Sequence, residues 1–314
     1  MRTNPYPLIV VAGPTGSGKS ALGLWLASRV DGEVVNCDSV QLYRHFDIGS
    51  AKVPVAERMG IPHHLIDILE PEEVFSAGEY ARLGRETLRG IAARGKTPVV
   101  VGGTGFYVRA LMEGLFAGPA RDDLLRARLA GREKRKPGSL HRILRRFDAR
   151  AAARIHANDR NKLIRAVEVC LLARRPLTEL HAAGSEPLEG FDAVRIGLDP
   201  PRAELYQVLN QRVVKMFEGG LVEEVRSILE KGYPVSAKPF EALGYKQALE
   251  FLKGKRGYQE AVEETQKETR RYAKRQSTWF KKDSRLRLLS GFGDSLQVQQ
   301  EAMNIVTARL FREA

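Results

Sequence analysis

The sequence LIVVAGPTGSGKS, residues 8–20, passes from an apolar run into a glycine-rich loop and then into a segment with helical spacing. Gly13, Gly18, Lys19 and Ser20 match G-x-x-x-x-G-K-[ST], a pattern typical of loops that bind phosphate groups. Glycines let backbone N–H groups turn toward oxyanions, and the following helix presents its positive end to them. The stretch therefore predicts a strand, a phosphate-binding loop and a helix, as in a parallel α/β sheet.

The side chains of this loop supply the remaining chemistry of an anion site. Lys19 adds a positive charge, and the Ser20 hydroxyl is placed to bind Mg²⁺. The motif predicts a bound diphosphate or polyphosphate but does not identify the molecule that carries it. The predicted diphosphate site consists of Gly13, Pro14, Thr15, Gly16, Ser17, Gly18, Lys19 and Ser20, with Ser20 as the metal ligand.

The overall composition indicates a globular protein without a membrane anchor. The chain has 314 residues, of which 43% are hydrophobic and 28% charged, and two domains are expected from that length. No apolar run approaches the ~20 residues of a membrane-spanning helix, and the first strand starts too early to leave room for a signal peptide. Cys37 and Cys170 are far apart and fit neither a disulfide framework nor a zinc site. We therefore expect a cytoplasmic protein that does not bind membranes.

Positive charge is concentrated in two blocks of the sequence. The net charge is +13, yet residues 121–175 alone carry +11 and residues 267–287 carry +7, which leaves −5 for the rest. Two basic blocks on a slightly acidic body favour a polyanionic partner larger than a nucleotide, because a small phosphate site needs only a few cations. The alternative is a pair of solvated helix faces without a partner.

Two further loops are expected beside the phosphate loop. Asp38 follows a predicted strand at 34–37, and the carboxyl ends of parallel strands are where ligands gather in such sheets. A structural role for Asp38 as a helix N-cap is the alternative, and one carboxylate could serve both roles. A second buried strand at 97–101 ends in Gly102, Gly103 and Thr104, where an NTPase would often have an acidic Mg²⁺ ligand. Its absence is evidence against ATP hydrolysis.

The basic block after residue 120 is predicted to contain only helices. Arg, Ala and Leu recur at helical spacing, and Pro137 and Gly138 divide this region into at least two helices. We predict a P-loop catalytic core formed by residues 1–120 and 191–314, with a basic helical insertion domain at 121–190. The fold class is α/β, a parallel sheet flanked by helices with an all-helical insertion.

Four smaller features concern single residues and short segments. Residues 61–68 are predicted to form a third strand, whose adjacent His63 and His64 point to opposite faces and are structural. Arg212 lies on the polar side of a predicted helix, as a phosphate clamp or a surface charge. Basic residues recur every three to four positions at 267–282, on one helix face. Trp279 and Phe280 within this segment are expected to be core residues.

Six sequence blocks stand out along the chain. They are GPTGSGKS (13–20), DSVQLYRHFDIGSAK (38–52), PHHLID (62–67), VGGTGFYVRALMEGL (101–115), ALGYKQ (242–247) and KRQSTWFKK (274–282). In this order they resemble the tRNA dimethylallyltransferase family, whose members prenylate an adenosine beside the anticodon. The resemblance extends from residue 9 to about residue 282. No Cys/His zinc-finger extension follows the basic helix, so the chain resembles the bacterial form.

The resemblance implies a fold, substrates and roles for individual residues. The fold is a P-loop kinase-like core interrupted by a helical domain for the anticodon stem-loop, and the partners are tRNA and dimethylallyl diphosphate, with Mg²⁺ and a monomeric enzyme expected. Asp38 corresponds to the general base toward the N6 amine of adenosine 37, while Lys19 and Arg212 would stabilise the leaving pyrophosphate. Thr15 and Thr104 correspond to positions at the donor and acceptor sites.

The resemblance also implies a set of tRNA-contacting positions. Some relatives have a basic residue where Glu241 stands, which weakens the case for that contact. The implied positions are Asp38, Ser39, Val40, Gln41, Thr104, Arg126, Asn161, Lys162, Leu163, Ile164, Arg165, Glu241, Ala242, Leu243, Gly244, Tyr245, Lys246, Lys274, Arg275, Gln276, Ser277, Thr278, Trp279, Phe280 and Lys281.

Three other functions share parts of this pattern. A P-loop small-molecule kinase also uses an Asp after the second strand as a base, although its lid needs only a few arginines. A prenyltransferase that acts on free AMP shares the loop and Asp38. An RNA-binding NTPase without transfer chemistry would share the loop and the basic blocks.

Overall fold

A parallel sheet of six strands organises the larger part of the fold, in a computed structural model that describes residues 5–310. The strand order is β3-β2-β4-β1-β5-β6, and every adjacent pair is parallel. The strands are β1 (Tyr6–Ala12), β2 (Gly32–Asn36), β3 (His63–His64), β4 (Thr97–Gly102), β5 (Phe191–Leu198) and β6 (Arg287–Leu289). The predicted α/β class and parallel sheet are confirmed.

The central strands are buried on both faces, because helices cover the sheet from both sides. All of β2 and β4 and the last five residues of β1 are buried, which explains their nearly continuous Val and Ile content. The helices of this part are α1 (Lys19–Arg29), α2 (Ala77–Ala93), α3 (Gly105–Glu113), α9 (Arg202–Glu218), α10 (Leu221–Glu230), α11 (Tyr245–Leu252), α12 (Tyr258–Phe280) and α13 (Leu296–Leu310), with short 3₁₀ turns at Val55–Glu57 and Lys238–Glu241.

The chain divides into two units, each with its own core. Met1–Met112 and Leu188–Ala314 form the sheet unit, and Glu113–Pro187 forms the helical unit. Both boundaries lie upstream of the predicted positions at 120/121 and 190/191. The helices of the second unit are α4 (Asp123–Arg135), α5 (Ser139–Phe147), α6 (Ala149–Arg154), α7 (Arg160–Ala173) and α8 (Leu177–Ala182).

Local sequence signals explain several element boundaries. Helix α2 begins at a capping box, in which the Ser76 side chain accepts from the Glu79 backbone and the Glu79 carboxylate accepts from the Ser76 N–H. In the helical unit, Pro137 and Gly138 separate α4 from α5 as predicted. The buried Glu133 carboxylate accepts the Gly138 and Leu140 N–H groups at 2.6 and 2.8 Å and so caps α5.

The predicted third strand at 61–68 is wrong in its length. Only His63–His64 pair with β2, because Leu65 and Asp67 adopt positive φ angles of 58° and 55° that end the extended backbone. The histidine pair makes structural contacts, as predicted. His64 Nε2 lies 2.6 Å from Glu33 Oε2, and His63 Nδ1 lies 2.8 Å from the Ile61 carbonyl.

Candidate active site

The glycine-rich loop between β1 and α1 has the geometry of an anion site. Gly18 is left-handed, with φ +82°, and α1 begins at the next residue, Lys19. A Cβ atom at Gly18 would lie 2.7 Å from the Gly293 nitrogen, so only glycine fits there. Ser17 steadies the loop, because its hydroxyl donates to the Pro14 carbonyl at 2.8 Å and its own carbonyl accepts from Gly293 N–H at 2.9 Å.

Lys19 points into this loop and has an altered pKa. Its Nζ donates to the Pro14 carbonyl at 2.8 Å, which holds the ammonium group over the loop. Burial and, to a smaller extent, the charge of Arg212 lower the pKa of Lys19 to about 8, while the charge of Asp38 opposes the shift. Lys19 therefore remains positively charged at neutral pH but lies close to its titration point.

Asp38 begins a turn directly after β2, and its carboxylate is held through one oxygen. Oδ1 accepts the backbone N–H of Val40 at 2.8 Å and of Gln41 at 3.4 Å. The Asp38 N–H in turn donates to the Asn36 side-chain oxygen at 3.1 Å. This arrangement caps a turn and not a helix. Because both bonds fall on Oδ1, Oδ2 remains as an acceptor for another group.

The Gly102, Gly103 and Thr104 segment packs against this turn. A Cβ atom at Gly102 would lie 2.0 Å from the Cys37 carbonyl oxygen, which explains why an acidic ligand cannot stand there. Thr104 Oγ1 accepts the Ser39 N–H at 3.2 Å, and its backbone N–H donates to the Cys37 carbonyl at 3.3 Å. Thr104 thus fixes the segment that carries Asp38 and retains its own hydroxyl proton for another acceptor.

Arg212 approaches the same place from α9. Burial lowers its pKa, and the charge of Asp38 acts in the opposite direction. Within residues 5–310, no side chain or carbonyl forms an ion pair or hydrogen bond with its guanidinium. Arg212 is half-buried and lines both cavities, so its guanidinium remains open to an external anion.

Two cavities of the sheet unit meet at these residues. The first has a volume of about 290 Å³ and is lined by the glycine-rich loop, Ser20 and the segment 50–54. The second, of about 370 Å³, is lined by apolar residues of α9 and by the segment 241–243. Residues shared by both linings are Thr15, Asp38, Ser50, Arg212 and Tyr272.

Helix α12 presents an inner face to the cavities that the sequence analysis did not identify. Thr265, Thr269 and Tyr272 line the second cavity, Tyr272 and Gln276 line the first, and their spacing of three or four residues was the available signal. Gln276 is 7% exposed and contacts the loop through Thr15. Burial raises the pKa of Tyr272 to about 12, so its hydroxyl stays protonated and available as a donor.

The outer face of α12 carries the predicted basic residues. Lys274, Arg275, Thr278 and Lys281 are exposed; Arg275 also lines the second cavity, and Lys281 pairs with Asp199 at 2.9 Å. Phe280 is buried as predicted, whereas the prediction for Trp279 is wrong, because its side chain is 45% exposed. Its indole lies against Gly105, where a Cβ atom would approach Nε1 to 2.2 Å. Ser277 is half-buried.

The remaining predicted contact positions are partly accessible and partly buried. Ser39, Val40 and Gln41 are half-buried beside the cavities, and Glu241, Ala242 and Leu243 line the second cavity. Lys246 is exposed, whereas Gly244 is buried and the Tyr245 hydroxyl donates to Glu224 at 2.6 Å. Tyr245 therefore serves the packing of α11 and not an exposed surface.

The helical unit holds two predicted arginines on one buried carboxylate. Glu168 is fully buried and accepts Arg126 at 3.1 Å, Arg165 at 2.8 Å and the Asp122 N–H at 2.9 Å. On the same helix, Asn161 and Lys162 are exposed, whereas Leu163 and Ile164 are buried in the core of this unit. Of the predicted contact residues in this unit, the two arginines, Asn161 and Lys162 are therefore the accessible ones.

The first cavity could hold a divalent metal ion only together with a ligand. Ser20 and Asp38, which carry side-chain oxygens, are among the residues that line it. Among residues 5–310, no group of three or more His, Cys, Asp or Glu side chains forms a metal site. Ions that keep several waters and bind substrate phosphates suit such a sparse set of oxygens.

The fold and the glycine-rich loop together define a P-loop α/β protein with a candidate anion site beside a carboxylate. Comparison with known families then identifies the group. The family model of IPP transferases matches residues 41–283, and the chain belongs to this family. The resemblance deduced from the six sequence blocks is therefore confirmed.

Individual relatives agree with this assignment. The tRNA dimethylallyltransferase of Solibacter usitatus is 56% identical over 300 residues, which cover 96% of this chain and 98% of that protein. The protein of the same name from Koribacter versatilis is 55% identical and covers 95% and 97%. The crystal structure of a tRNA isopentenylpyrophosphate transferase from Bacillus halodurans is 34% identical, with a TM-score of 0.72 and 97% coverage of each chain. A eukaryotic dimethylallyltransferase acting on tRNA superposes with a TM-score of 0.81 at 28% identity, covering 98% of this chain and 81% of that one.

Proposed function

We propose that this protein transfers a dimethylallyl group from dimethylallyl diphosphate to the N6 amine of adenosine 37, beside the tRNA anticodon, and releases pyrophosphate. The names of its relatives and its family support this reaction. The single structural observation that carries the proposal is the meeting of two cavities at Asp38 and Arg212. One cavity offers phosphate-binding groups, and the other has the same carboxylate in its lining.

The diphosphate occupies the first cavity. The N–H groups at the start of α1, the Lys19 ammonium and the Arg212 guanidinium provide its positive surroundings. Negative charge grows on the pyrophosphate as the bond between C1 of the dimethylallyl group and oxygen breaks. Groups fixed around that oxygen therefore stabilise the transition state more than the bound substrate.

The adenine approaches from the second cavity. Its exocyclic amine is a weak nucleophile, because its lone pair is delocalised into the ring. As N6 attacks C1, the C1–O bond breaks, pyrophosphate leaves and one N6 proton passes to Asp38. Since Oδ1 is occupied by Val40 and Gln41, we assign Oδ2 as the proton acceptor, a role worth ~10² to 10⁴-fold in rate.

Thr104 orients the acceptor side of the site. Its Oγ1 accepts from Ser39, so the hydroxyl hydrogen is directed away from that bond and is available to an adenine ring nitrogen. The adenosine must leave the stacked anticodon loop to reach this position, at a cost of a few kcal/mol. Contacts with the rest of the tRNA offset that cost.

Mg²⁺ is the proposed metal ion, with Ser20 as its protein ligand and the diphosphate as its main partner. When bound, it neutralises part of the charge of the leaving group. The tRNA partner is contacted by the exposed basic residues of α12 and, separately, by the accessible residues of the helical unit. The phosphate backbone of tRNA is the natural partner of such accessible cations.

We further propose that the enzyme is cytoplasmic and acts as a monomer. Both cavities are lined by a single chain, so no second copy is needed to complete the site. The two cysteines are free and buried, which suits a reducing compartment. Among the described residues, no helix has the length and apolar content that crossing a membrane would require.

A transfer assay with separate donors and acceptors tests the proposal. The protein is incubated with Mg²⁺ and either labelled dimethylallyl diphosphate or γ-labelled ATP, and with either an anticodon stem-loop or AMP. We expect label on the stem-loop from dimethylallyl diphosphate only. Mass spectrometry should locate a five-carbon adduct on adenosine 37.

Each other pattern of label points to a different function. Phosphate transfer from ATP would identify a kinase, and preferential labelling of AMP would identify a prenyltransferase of free nucleotides. A stem-loop in which adenosine 37 is replaced by guanosine is the matched negative substrate. Labelling of that RNA at the wild-type rate would overturn the assigned acceptor.

A further inference from the structure

The side-chain amide of Gln276 joins three parts of the site. Its Oε1 accepts the Thr15 backbone N–H at 2.8 Å, and its Nε2 donates to the Gly103 carbonyl at 2.8 Å. Thr15 belongs to the loop after β1 and Gly103 to the loop after β4, whereas Gln276 lies near the C-terminal end of α12. One amide thus fixes the spacing between both loops and the helix.

The Thr15 N–H depends on this side chain for its hydrogen bond, whereas the Gly103 carbonyl also accepts the Gly105 N–H at 3.2 Å. An unpaired buried N–H or carbonyl costs free energy comparable to a lost hydrogen bond. An amide can accept from one group and donate to the other, which a carboxylate or an apolar side chain cannot do. The close approach also requires glycine, because a Cβ atom at Gly103 would lie 2.6 Å from Gln276 Nε2. The contact is therefore a specific one.

The position of Gln276 differs from that of its neighbours on the helix. Lys274 and Arg275 are exposed, whereas Gln276 is buried and lines the first cavity. Each end of its amide is already hydrogen-bonded to a loop of the protein. Gln276 is therefore placed to act on the diphosphate site indirectly, through the glycine-rich loop that it holds.

We propose that Gln276 is a positioning residue that holds the glycine-rich loop in the conformation that binds the diphosphate. This inference rests on the proposed diphosphate site. Thr15 lies in the same glycine-rich loop as Lys19 and the backbone amides that follow it. A displacement of Thr15 therefore also moves the amides and the ammonium group that bind the diphosphate. The residue acts by geometry and carries no charge into the site.

Binding of inorganic pyrophosphate with Mg²⁺, measured by calorimetry on the whole protein, tests the proposal without any transfer step. Gln276→Met removes both hydrogen bonds at similar volume and should weaken binding on the order of 10-fold. Gln276→Glu has a more informative effect. When its carboxyl group is protonated it can again donate to Gly103 and accept from Thr15, so its affinity relative to wild type should recover as the pH falls from about 8.5 to about 6.

Gln266→Glu is the matched control. Gln266 lies on the same helix and donates to the Asn210 carbonyl at 3.1 Å, away from the loop. Its affinity ratio to wild type should stay near one at every pH. Dividing the affinity of each variant by that of the wild type at the same pH cancels the effect of the titration of pyrophosphate itself.

The possible outcomes separate this inference from the proposed function. If the wild type does not bind pyrophosphate, the diphosphate site itself is refuted. If the wild type binds and Gln276→Met binds equally well, the positioning role is overturned, and any pH effect of Gln276→Glu is then a simple charge effect. If Gln276→Met does not fold, the ratio for Gln276→Glu still decides, because a loss that persists at the acidic end of the range contradicts the proposal.

Discussion

Replacement of Arg212 should change ligand affinity and stability in opposite directions. The guanidinium lines both cavities and has no partner among residues 5–310, and burial lowers its pKa. A charge-assisted hydrogen bond contributes ~1.5 to 3 kcal/mol, so Arg212→Met should weaken pyrophosphate binding about 10- to 150-fold. Removal of an unpaired, desolvated charge should raise the free energy of unfolding by ~1 kcal/mol and the melting temperature by about 2 °C.

Calorimetry with pyrophosphate and thermal unfolding of the free protein measure the two effects. Lys215→Gln is the control, because Lys215 is an exposed cation on the same helix. It should leave affinity unchanged and stability within about 0.5 kcal/mol. A variant at Arg212 that binds pyrophosphate normally, or that melts well below the wild type, would refute the interpretation of this residue as an unpaired anion-binding group.

Three further predictions concern charge, close packing and a buried carboxylate. Because the pKa of Lys19 is lowered to about 8, its positive charge is lost as the pH rises above that value, so kcat/KM for dimethylallyl diphosphate should fall about tenfold per pH unit there. Lys19→Arg should abolish this decline. If the variant shows the same decline as the wild type, the assignment of the decline to Lys19 is wrong. Gly102→Ala should lower the free energy of unfolding by about 3 kcal/mol or more in urea, since its Cβ atom would lie 2.0 Å from a backbone oxygen, whereas Gly90→Ala within α2 should be neutral or stabilising. Glu168→Ala should cost ~1.5 to 3 kcal/mol in the same measurement by removing the buried acceptor of the Asp122 N–H and of the partly exposed Arg126 and Arg165, and a cost below about 1 kcal/mol would contradict this view of the carboxylate.

Local signals were sufficient to predict the centre of the site. The loop at 13–20 combines a fixed spacing with an apolar run on one side and a helical pattern on the other, and each part is encoded within a few residues. Asp38 and Thr104 follow strands whose apolar composition is evident. Since β2, β4 and β1 are adjacent, their carboxyl ends bring these groups together, as the parallel-sheet rule predicts.

Features that depend on tertiary packing could not be predicted in the same way. The third strand stops after His64, because the backbone turns left-handed at Leu65, a non-glycine residue whose type does not signal that conformation. Trp279 was expected in the core from its residue type, yet its position on α12 leaves it 45% exposed. Gln276 was assigned by resemblance to tRNA contact, whereas its hydrogen bonds reach Thr15 and Gly103, which are far away in the sequence.

The sequence blocks and the structure contribute at different levels. The six blocks resemble one family through their residues and order, and the family model and the relatives confirm that membership. The structure adds what the blocks do not contain, namely the occupied Oδ1 of Asp38 and the unpartnered guanidinium of Arg212 among the described residues. These details turn a family resemblance into specific expectations for single atoms.

The central claim is that Asp38 removes a proton from the attacking amine, and a single-turnover measurement tests it most directly. Asp38→Asn keeps an oxygen for the Val40 and Gln41 N–H groups but loses the basic carboxylate. The rate of dimethylallyl transfer to an anticodon stem-loop, measured with saturating donor, should fall ~10² to 10⁴-fold while pyrophosphate affinity is retained. A rate within about threefold of the wild type would contradict the account.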